Sequence, residues 1–241
     1  MNFIKKSIVS AVFALLFFQA ASLTGGAWGL SFAAEDTSGQ ALNPEVDFRW
    51  AFTVMDVKDG KNSIRPITQD TVLNSGDQLK MMVELQRRCF VYLFHYNGGD
   101  SVKLLFPYAL QQFETDYQPE RKYYIPRGDA WFRLDENPGQ EVFYLVASAK
   151  RLDELEKAYL KHQSAEAALK AETAKALVDK IRELRREHRE LASPAERPVP
   201  IGGVLRSVEK VQAPDRLDIA AFADEVLSNG FVARTYTIEH K

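Results

Sequence analysis

The sequence has little cysteine and none of the short motifs that mark well-known catalytic sites. Its single cysteine, Cys89, excludes a disulfide within the chain, so the fold must depend on its hydrophobic core. Cys89 stands at the start of an apolar run, which favours a small buried side chain over a reactive thiol. The chain contains no Gly-x-Ser-x-Gly elbow, His-Glu-x-x-His pair, phosphate-binding loop or dinucleotide fingerprint. The sequence therefore contains no recognisable set of catalytic residues.

Side chains that could hold a metal or transfer a proton are also few or scattered. The four histidines lie far apart in the sequence, at positions 95, 162, 188 and 240. His95 and Cys89 share a predicted strand face, but they are six positions apart, which is too distant for one metal ion. No pattern brings the carboxylates of Glu84, Asp116 and Asp129 together. The sequence therefore predicts no catalytic residue, no metal and no cofactor.

A strong excess of either charge is missing as well. The chain carries 31 lysines and arginines against 33 aspartates and glutamates, a net charge of −2. Loss of Lys5 and Lys6 with a cleaved leader would change the net charge to −4, because two positive charges are subtracted from −2. A mildly acidic protein lacks the basic surface that binds nucleic-acid phosphates, so no nucleic-acid partner is predicted.

The amino terminus has the pattern of a secretory signal peptide over residues 1–33. Lys5 and Lys6 precede an apolar run at residues 8–18, and small residues follow, with cleavage expected after Ala27 or Ala33. No cysteine lies in this region, which excludes a bacterial lipoprotein. The alternative is an uncleaved membrane anchor, because no charged residue appears between Lys6 and Glu35. We expect cleavage and a periplasmic or secreted protein.

The next part of the chain predicts a flexible leader at residues 34–47 and a β-rich domain at residues 48–150. Apolar residues at positions 79, 81, 83 and 85 alternate with mainly polar ones, which is typical of a half-buried strand. Residues 89–96 are apolar on both faces and predict a central strand. Many short strands separated by turn residues favour an antiparallel sandwich or a barrel-like sheet.

A different composition begins at residue 151. Glycine and proline are absent from residues 152–191, so residues 151–192 predict a long charged helix. An unbroken helix would measure about 60 Å, and it would therefore protrude, fold into a hairpin or pair with a partner helix. Interrupted heptads favour a coiled coil with a protein partner or a second copy of the chain. The candidate assembly stripe consists of Leu177, Ile181, Leu184, His188 and Leu191.

The last part of the chain, residues 193–241, predicts three elements. A proline-rich turn occupies residues 193–203, a short amphipathic helix follows at residues 217–227, and a terminal strand at residues 231–238 returns to the sheet. The predicted fold class is therefore α+β: mainly β, with a long helical insertion and a C-terminal helix–strand unit.

Aromatic side chains are concentrated between residues 90 and 131. Exposed aromatic rings stack on sugars or anchor a partner protein, so these residues could line a groove. The alternative is that they fill the sheet core and pack under the long helix. The residues expected to be exposed, and thus the candidate recognition surface, are Tyr117, Tyr123 and Trp131.

Several short segments follow one another in a distinctive order: LNSGD at residues 73–77, VYLF at 91–94, LLFP at 104–107, YIP at 124–126, FRL at 132–134, PGQE at 138–141 and the strand at 143–149. Their order and spacing resemble the family Domain of unknown function 4384 over residues 48–150. Tyr108 stands where that family often has asparagine. The resemblance implies an exported bacterial β-rich module, sometimes attached to kinase- or caspase-like domains. It implies no catalytic residue.

Together these observations predict a non-enzymatic binding or assembly role in the cell envelope, with a protein partner or self-association through the long helix. The alternative is a periplasmic glycan-binding module or a glycan-directed hydrolase. Carboxylates that converge in one cleft would favour the hydrolase. A helical seam that is free to pair would favour assembly.

Overall fold

The computed structural model describes residues 45–58, 61–67, 70–191 and 218–241. These residues form two β-sheets that pack face to face, and a helical hairpin covers the outer face of the second sheet. The predicted signal peptide, nearly all of the predicted leader and the proline-rich turn lie outside the described residues.

The elements follow one another along the chain with short connections. The strands are β1 (Val46–Lys58), β2 (Lys61–Pro66), β3 (Asp70–Leu73), β4 (Gln78–Leu85), β5 (Phe90–Tyr96), β6 (Val102–Phe106), β7 (Lys122–Ile125), β8 (Phe132–Arg133), β9 (Gly139–Ser148), β10 (Asp224–Ser228) and β11 (Phe231–His240). The helices are α1 (Gln112–Thr115), α2 (Asp153–Ser164) and α3 (Lys170–Leu191), with short 3-10 turns at Ala167–Leu169 and Ile219–Phe222.

The two sheets combine strands that are distant in sequence. The first sheet has the order β10-β1-β4-β7, with β2 beside the second half of β1 and β8 beside the start of β4. The second sheet has the order β3-β11-β9-β5-β6, in which β3 and β11 run parallel and the other pairs run antiparallel. The C-terminal strand β11 therefore lies inside the second sheet, between β3 and β9.

Aromatic side chains fill the space between the sheets. The ring of Phe52 lies 5.0 Å from that of Phe143 and 5.4 Å from that of Tyr236, centroid to centroid. The indole nitrogen of Trp50 donates a hydrogen bond of 2.9 Å to the Tyr236 hydroxyl. These contacts join β1 of the first sheet to β9 and β11 of the second, so the aromatic residues hold the sandwich together.

The thiol of Cys89 is part of this core. Its side chain is fully buried, and its sulfur lies 4.0 Å from the backbone oxygen of Asp47. Burial raises the pKa of the Cys89 thiol to about 11. The interpretation of Cys89 as a small buried side chain is therefore confirmed.

The prediction of a β-rich α+β fold is confirmed, and β5 lies inside the second sheet, between β9 and β6. The half-buried prediction for β4 is wrong, because Lys80 and Met82 are buried on its outer face as well. Ile219 and Ala220 pack against Met82 in a second, smaller core. A strand with a one-sided sequence pattern is covered on both faces because a distant segment folds over it.

The predicted long helix is interrupted and folds back as a hairpin, one of the three arrangements that its length allowed. α2 ends at Ser164, and Ala165 and Glu166 have extended backbone before the chain turns into α3. The break falls in the alanine-rich middle, where the heptad register slips. The Lys170 ammonium donates a 2.7 Å hydrogen bond to the backbone oxygen of His162, at the C-terminal end of α2. The same ammonium donates a 3.0 Å hydrogen bond to the backbone oxygen of Gln163, so Lys170 caps the last turn of α2.

The helix predicted at residues 217–227 is wrong. A single 3-10 turn forms at Ile219–Phe222, where the Asp218 carboxylate accepts a 3.0 Å hydrogen bond from the Ala220 amide. β10 then begins at Asp224 and pairs with β1, which places Val226 opposite Phe48 in the core. Pairing with the edge of a preformed sheet outweighs the local helical spacing of the apolar residues.

Among the described residues, no helix is both long enough and apolar enough to cross a bilayer.

Candidate functional site

Two of the three residues of the predicted recognition surface are core residues. Tyr117 is 7% exposed and Tyr123 is 3% exposed. The Tyr117 hydroxyl accepts a 2.9 Å hydrogen bond from the Val91 amide, and the Tyr123 hydroxyl accepts one of 2.7 Å from the Gln118 amide. Burial raises the pKa of Tyr117. The prediction that these two rings are exposed is therefore wrong, and the alternative that they fill the core is correct.

Trp131 lies in a different place and is partly buried. Its ring packs in the small core that contains Met82, and the Lys80 ammonium lies 5.5 Å from the ring centroid. That ammonium also donates a 2.5 Å hydrogen bond to the Gly128 backbone oxygen. Burial lowers the pKa of Lys80. Trp131 thus anchors the loop before β8 and does not join Tyr117 and Tyr123 in a common surface.

The predicted assembly stripe packs against the protein's own sheet. Leu177 and Ile181 are buried in the main core, and Leu184 packs against it. The His188 ring stacks on the Phe231 ring of β11 at a centroid distance of 4.0 Å. The fifth residue of the stripe, Leu191, ends α3, and its side chain is outside the described residues. The prediction of a seam open to a partner helix is wrong for the described part of the stripe.

A cleft of about 250 Å³ opens at one end of the sandwich. It lies where β8, beside the start of β4, faces β5, β6 and β9 of the second sheet. Its apolar walls are formed by Leu79, Leu105, Phe132, Leu134 and Phe143. Five charged or titratable side chains stand among them: His95, Lys103, Arg133, Asp135 and Glu141. Apolar walls with a few polar groups are the usual make-up of a small-molecule site.

A histidine–glutamate pair lies inside this cleft. His95 of β5 contacts the carboxylate of Glu141 of β9 through its Nε2 atom, and both side chains are partly exposed. The His95 ring also packs on Phe143, with the ring centroids 4.8 Å apart. The pairing of β5 with β9 places Tyr96 opposite Val142 and His95 opposite Phe143, so His95 and Glu141 are diagonal neighbours. The pair fixes the orientation of the imidazole at the wall of the cleft.

Two cations of the cleft have no acidic partner among the described residues. Neither Lys103 of β6 nor Arg133 of β8 forms an ion pair in the described part of the chain, and both are exposed. The Asp135 carboxylate accepts hydrogen bonds of 2.8 Å and 3.1 Å from the backbone and side-chain nitrogens of Asn137. These hydrogen bonds lower the pKa of Asp135, so it stays ionised at neutral pH. The cleft therefore offers two available positive charges to a ligand.

The same residues limit the chemistry of the cleft. Its lining contains no serine, threonine or cysteine that could act as a nucleophile. Across the described residues, no group of three or more His, Cys, Asp or Glu side chains is arranged to hold a metal ion.

No sequence pattern points to the His95–Glu141 pair. The only neighbour that spacing suggests for His95 is Cys89, which lies just before β5, is buried and does not line the cleft. Glu141 lies 46 positions further along the chain, and the pairing of β5 with β9 brings the two together. The alternation of β5 places His95 on the inner face, but nothing in a single sequence names the neighbouring strand.

Comparison with known proteins agrees with the resemblance found in the sequence. The family described as Domain of unknown function (DUF4384) matches residues 72–151, so residues 48–71 of the predicted span lie outside the match. No curated protein and no solved structure matches the chain. The matched segment runs from the end of β3 to the residues just before α2, and every residue that lines the cleft lies inside it. The match covers 80 of the 241 residues of the chain and is a similarity of this segment to that family.

Proposed function

We propose that this protein is a non-enzymatic binding module of the bacterial cell envelope and that the cleft is its ligand site. The observation that supports this most directly is the pair of cations, Lys103 and Arg133, which have no acidic partner within the described ranges and stand at a cleft with apolar walls. Exposed cations attract an anionic group, and the apolar walls beside them exclude water from that group when the ligand is bound.

The ligand is a small carboxylate-bearing molecule. A carboxylate can bind the Arg133 guanidinium through two parallel hydrogen bonds and can pair with the Lys103 ammonium as a point charge. The volume of about 250 Å³ admits one residue or one sugar ring and no more. In a cell envelope, the carboxyl terminus of a peptide and an acidic sugar share this chemistry. A partner protein is therefore recognised through its carboxyl terminus, without the helical seam.

The location is part of the same proposal. The charged residues and apolar run at the amino terminus support export, and the mature protein is then periplasmic or secreted. An exported binding module meets the peptide termini and acidic sugars of the cell envelope.

A glycan-directed hydrolase is the second candidate, because Asp135 and Glu141 line one cleft. Glycoside hydrolysis requires one carboxyl group that is protonated and acts as the acid, which demands a raised pKa. The pKa of Asp135 is lowered instead. Asp135 is therefore unsuited to act as the acid, and we rank binding of an acidic sugar without cleavage first. Release of reducing sugar from peptidoglycan, abolished by Glu141→Gln, would reverse this preference.

The proposal is tested by titrating the isotope-labelled protein with glucuronic acid and with an N-acetylated dipeptide that has a free carboxyl terminus. We expect amide chemical-shift changes at Lys103, Arg133 and Glu141, and affinity that falls about tenfold in Arg133→Gln, as loss of one charged hydrogen bond implies. Lys122→Gln on β7, an exposed lysine outside the cleft, serves as the matched control. Shifts confined to other surfaces, or equal loss in Lys122→Gln, would overturn the assignment of the cleft.

A further inference from the structure

Side chains of the helical hairpin cover the edge of the second sheet at β6. β6 is the last strand in the order of this sheet, so alternate backbone amides point away from β5. The Val102 amide donates a 3.1 Å hydrogen bond to His162 of α2, and the Tyr159 ring, one turn earlier in α2, packs against the Phe94 ring of β5. Beside these contacts lies a groove of about 590 Å³ between β6 and the hairpin.

His162 joins three elements through one buried ring. It is 4% exposed, its Nε2 lies 3.1 Å from the Val102 nitrogen, and its Nδ1 lies 3.0 Å from the Thr173 hydroxyl of α3. A backbone N–H can only donate, so Nε2 must carry a lone pair and Nδ1 carries the proton. The Thr173 hydroxyl donates to the Leu169 backbone oxygen at 2.9 Å and is free to accept from Nδ1. Only the neutral imidazole satisfies every contact.

The charges around His162 also favour the neutral ring. Burial lowers the pKa of His162, and the Lys170 ammonium of α3 lowers it further. Asp100, in the turn before β6, acts in the opposite direction and raises the pKa. Lys103 and Gln163 complete the polar lining of the groove beside the ring. The prevailing effect is a folded-state pKa below the ordinary value of about 6.5.

We propose that His162 is an acid-sensitive latch that holds the helical hairpin on the edge of β6. When the ring gains a proton, Nε2 becomes a donor that faces the Val102 N–H, and this hydrogen bond is lost. The edge of β6 is then uncovered at the groove. The tip of the hairpin opens, whereas the base of α2 stays in place.

The base of α2 is held by contacts that do not change in the same pH range. The Tyr92 hydroxyl donates a 2.7 Å hydrogen bond to the Glu156 carboxylate, and Arg151 binds that carboxylate at 2.8 Å and 3.0 Å. Arg151 remains charged at any pH of interest, and burial raises the pKa of Tyr92 far above neutrality. Opening is therefore confined to the end of the hairpin near His162.

The sign of the pH dependence follows from the direction of the shift. A histidine with a lowered folded-state pKa stabilises the closed form fully above the unfolded-state pKa of about 6.5. This contribution is lost as the pH falls through the folded-state value. The latch is therefore closed at neutral pH and opens under mild acid.

The test is amide hydrogen exchange at Val102 by NMR, corrected for intrinsic exchange, between about pH 7.5 and about pH 5. We expect protection to fall about tenfold in the wild-type protein, with a midpoint equal to the titration midpoint of the His162 ring. His162→Gln keeps an acceptor and a donor without a proton to gain, so its Val102 protection does not change with pH. His188→Gln is the matched control and behaves as wild type.

Two results would overturn the latch. One is Val102 protection that is constant over this range while the His162 ring titrates. The other is a midpoint that follows the ring of His95 or His188 in place of His162. Both are read from the wild-type protein, so a variant that fails to fold does not leave the proposal undecided.

Discussion

Among single residues, hydrogen bonds inside the core distinguish structural side chains from surface ones. The sequence predicts Tyr117 as a recognition residue, but its hydroxyl accepts a hydrogen bond from the Val91 amide inside the protein. A buried amide without an acceptor costs more than the net gain of an average hydrogen bond, so such a tyrosine is fixed by its surroundings. Hydrophobicity alone cannot distinguish it from an exposed tyrosine.

Replacement of Tyr117 by phenylalanine tests this assignment. We expect Tyr117→Phe to lower the free energy of unfolding by about 1–3 kcal/mol, because the Val91 amide loses its acceptor. Tyr96→Phe is the control, since the Tyr96 hydroxyl forms no hydrogen bond among the described residues, and it should change the free energy by less than about 0.5 kcal/mol. Urea unfolding of the three proteins measures the difference. Equal stability of both variants would place the Tyr117 hydroxyl in solvent.

The thiol of Cys89 gives a second residue-scale prediction. With its pKa raised to about 11, only a very small fraction is thiolate at about pH 8, and the sulfur is fully buried. We therefore expect a thiol-specific reagent to label Cys89 slowly in the native protein and rapidly in concentrated urea. Native labelling at the rate of a free cysteine would contradict its place in the core.

At the scale of elements, local patterns gave the strands and the helical composition, but not what each element touches. The sequence predicted the helical region from the absence of glycine and proline, and it left a hairpin open as one arrangement. The apolar spacing of α3 predicts a seam for a partner helix, but Leu177 and Ile181 are buried against the protein's own sheet. The same amphipathic spacing serves either contact, so the choice requires the tertiary structure. The helix predicted at residues 217–227 is wrong for a related reason. The β10 segment pairs with β1, and this pairing outweighs the local helical spacing.

Replacement of Ile181 distinguishes the two roles of α3. We expect Ile181→Ala to lower the free energy of unfolding by about 2–5 kcal/mol, as for other large-to-small changes in a core, without a change in molar mass. Lys175→Ala on the exposed face of α3 is the control and should stay within about 0.5 kcal/mol. Urea unfolding and light scattering measure the two effects. If Ile181→Ala halved the molar mass and left the stability unchanged, α3 would instead form a seam between two copies of the chain.

At the scale of the whole molecule, the family and the β-rich class were readable from the sequence, and the cleft was not. The cleft joins β8 of one sheet to β5, β6 and β9 of the other, so it exists only after non-consecutive strands have paired. Each of its charged residues looks ordinary alone: His95 on a strand, Lys103 beyond a turn, and Arg133 and Glu141 around another turn. The proposed ligand site exists only where these residues meet, and that is set by the topology.

The predicted export is tested on the whole chain. We expect the protein recovered from a periplasmic fraction to begin at Trp28 or Ala34, the residues that follow the two expected cleavage points. Sequencing of the amino terminus of that protein measures this directly. Recovery of an uncleaved chain in the membrane fraction would favour the anchor.

Calorimetry with paired probes shows directly whether the cleft binds a carboxylate. The probes are an N-acetylated dipeptide and glucuronic acid, each compared with its neutral carboxamide. We expect at least one acid to bind the wild-type protein about tenfold more tightly than its amide, and we expect Lys103→Gln combined with Arg133→Gln to remove this preference. Equal affinity of each acid and its amide for the wild-type protein would rule out recognition of a carboxylate by the cleft.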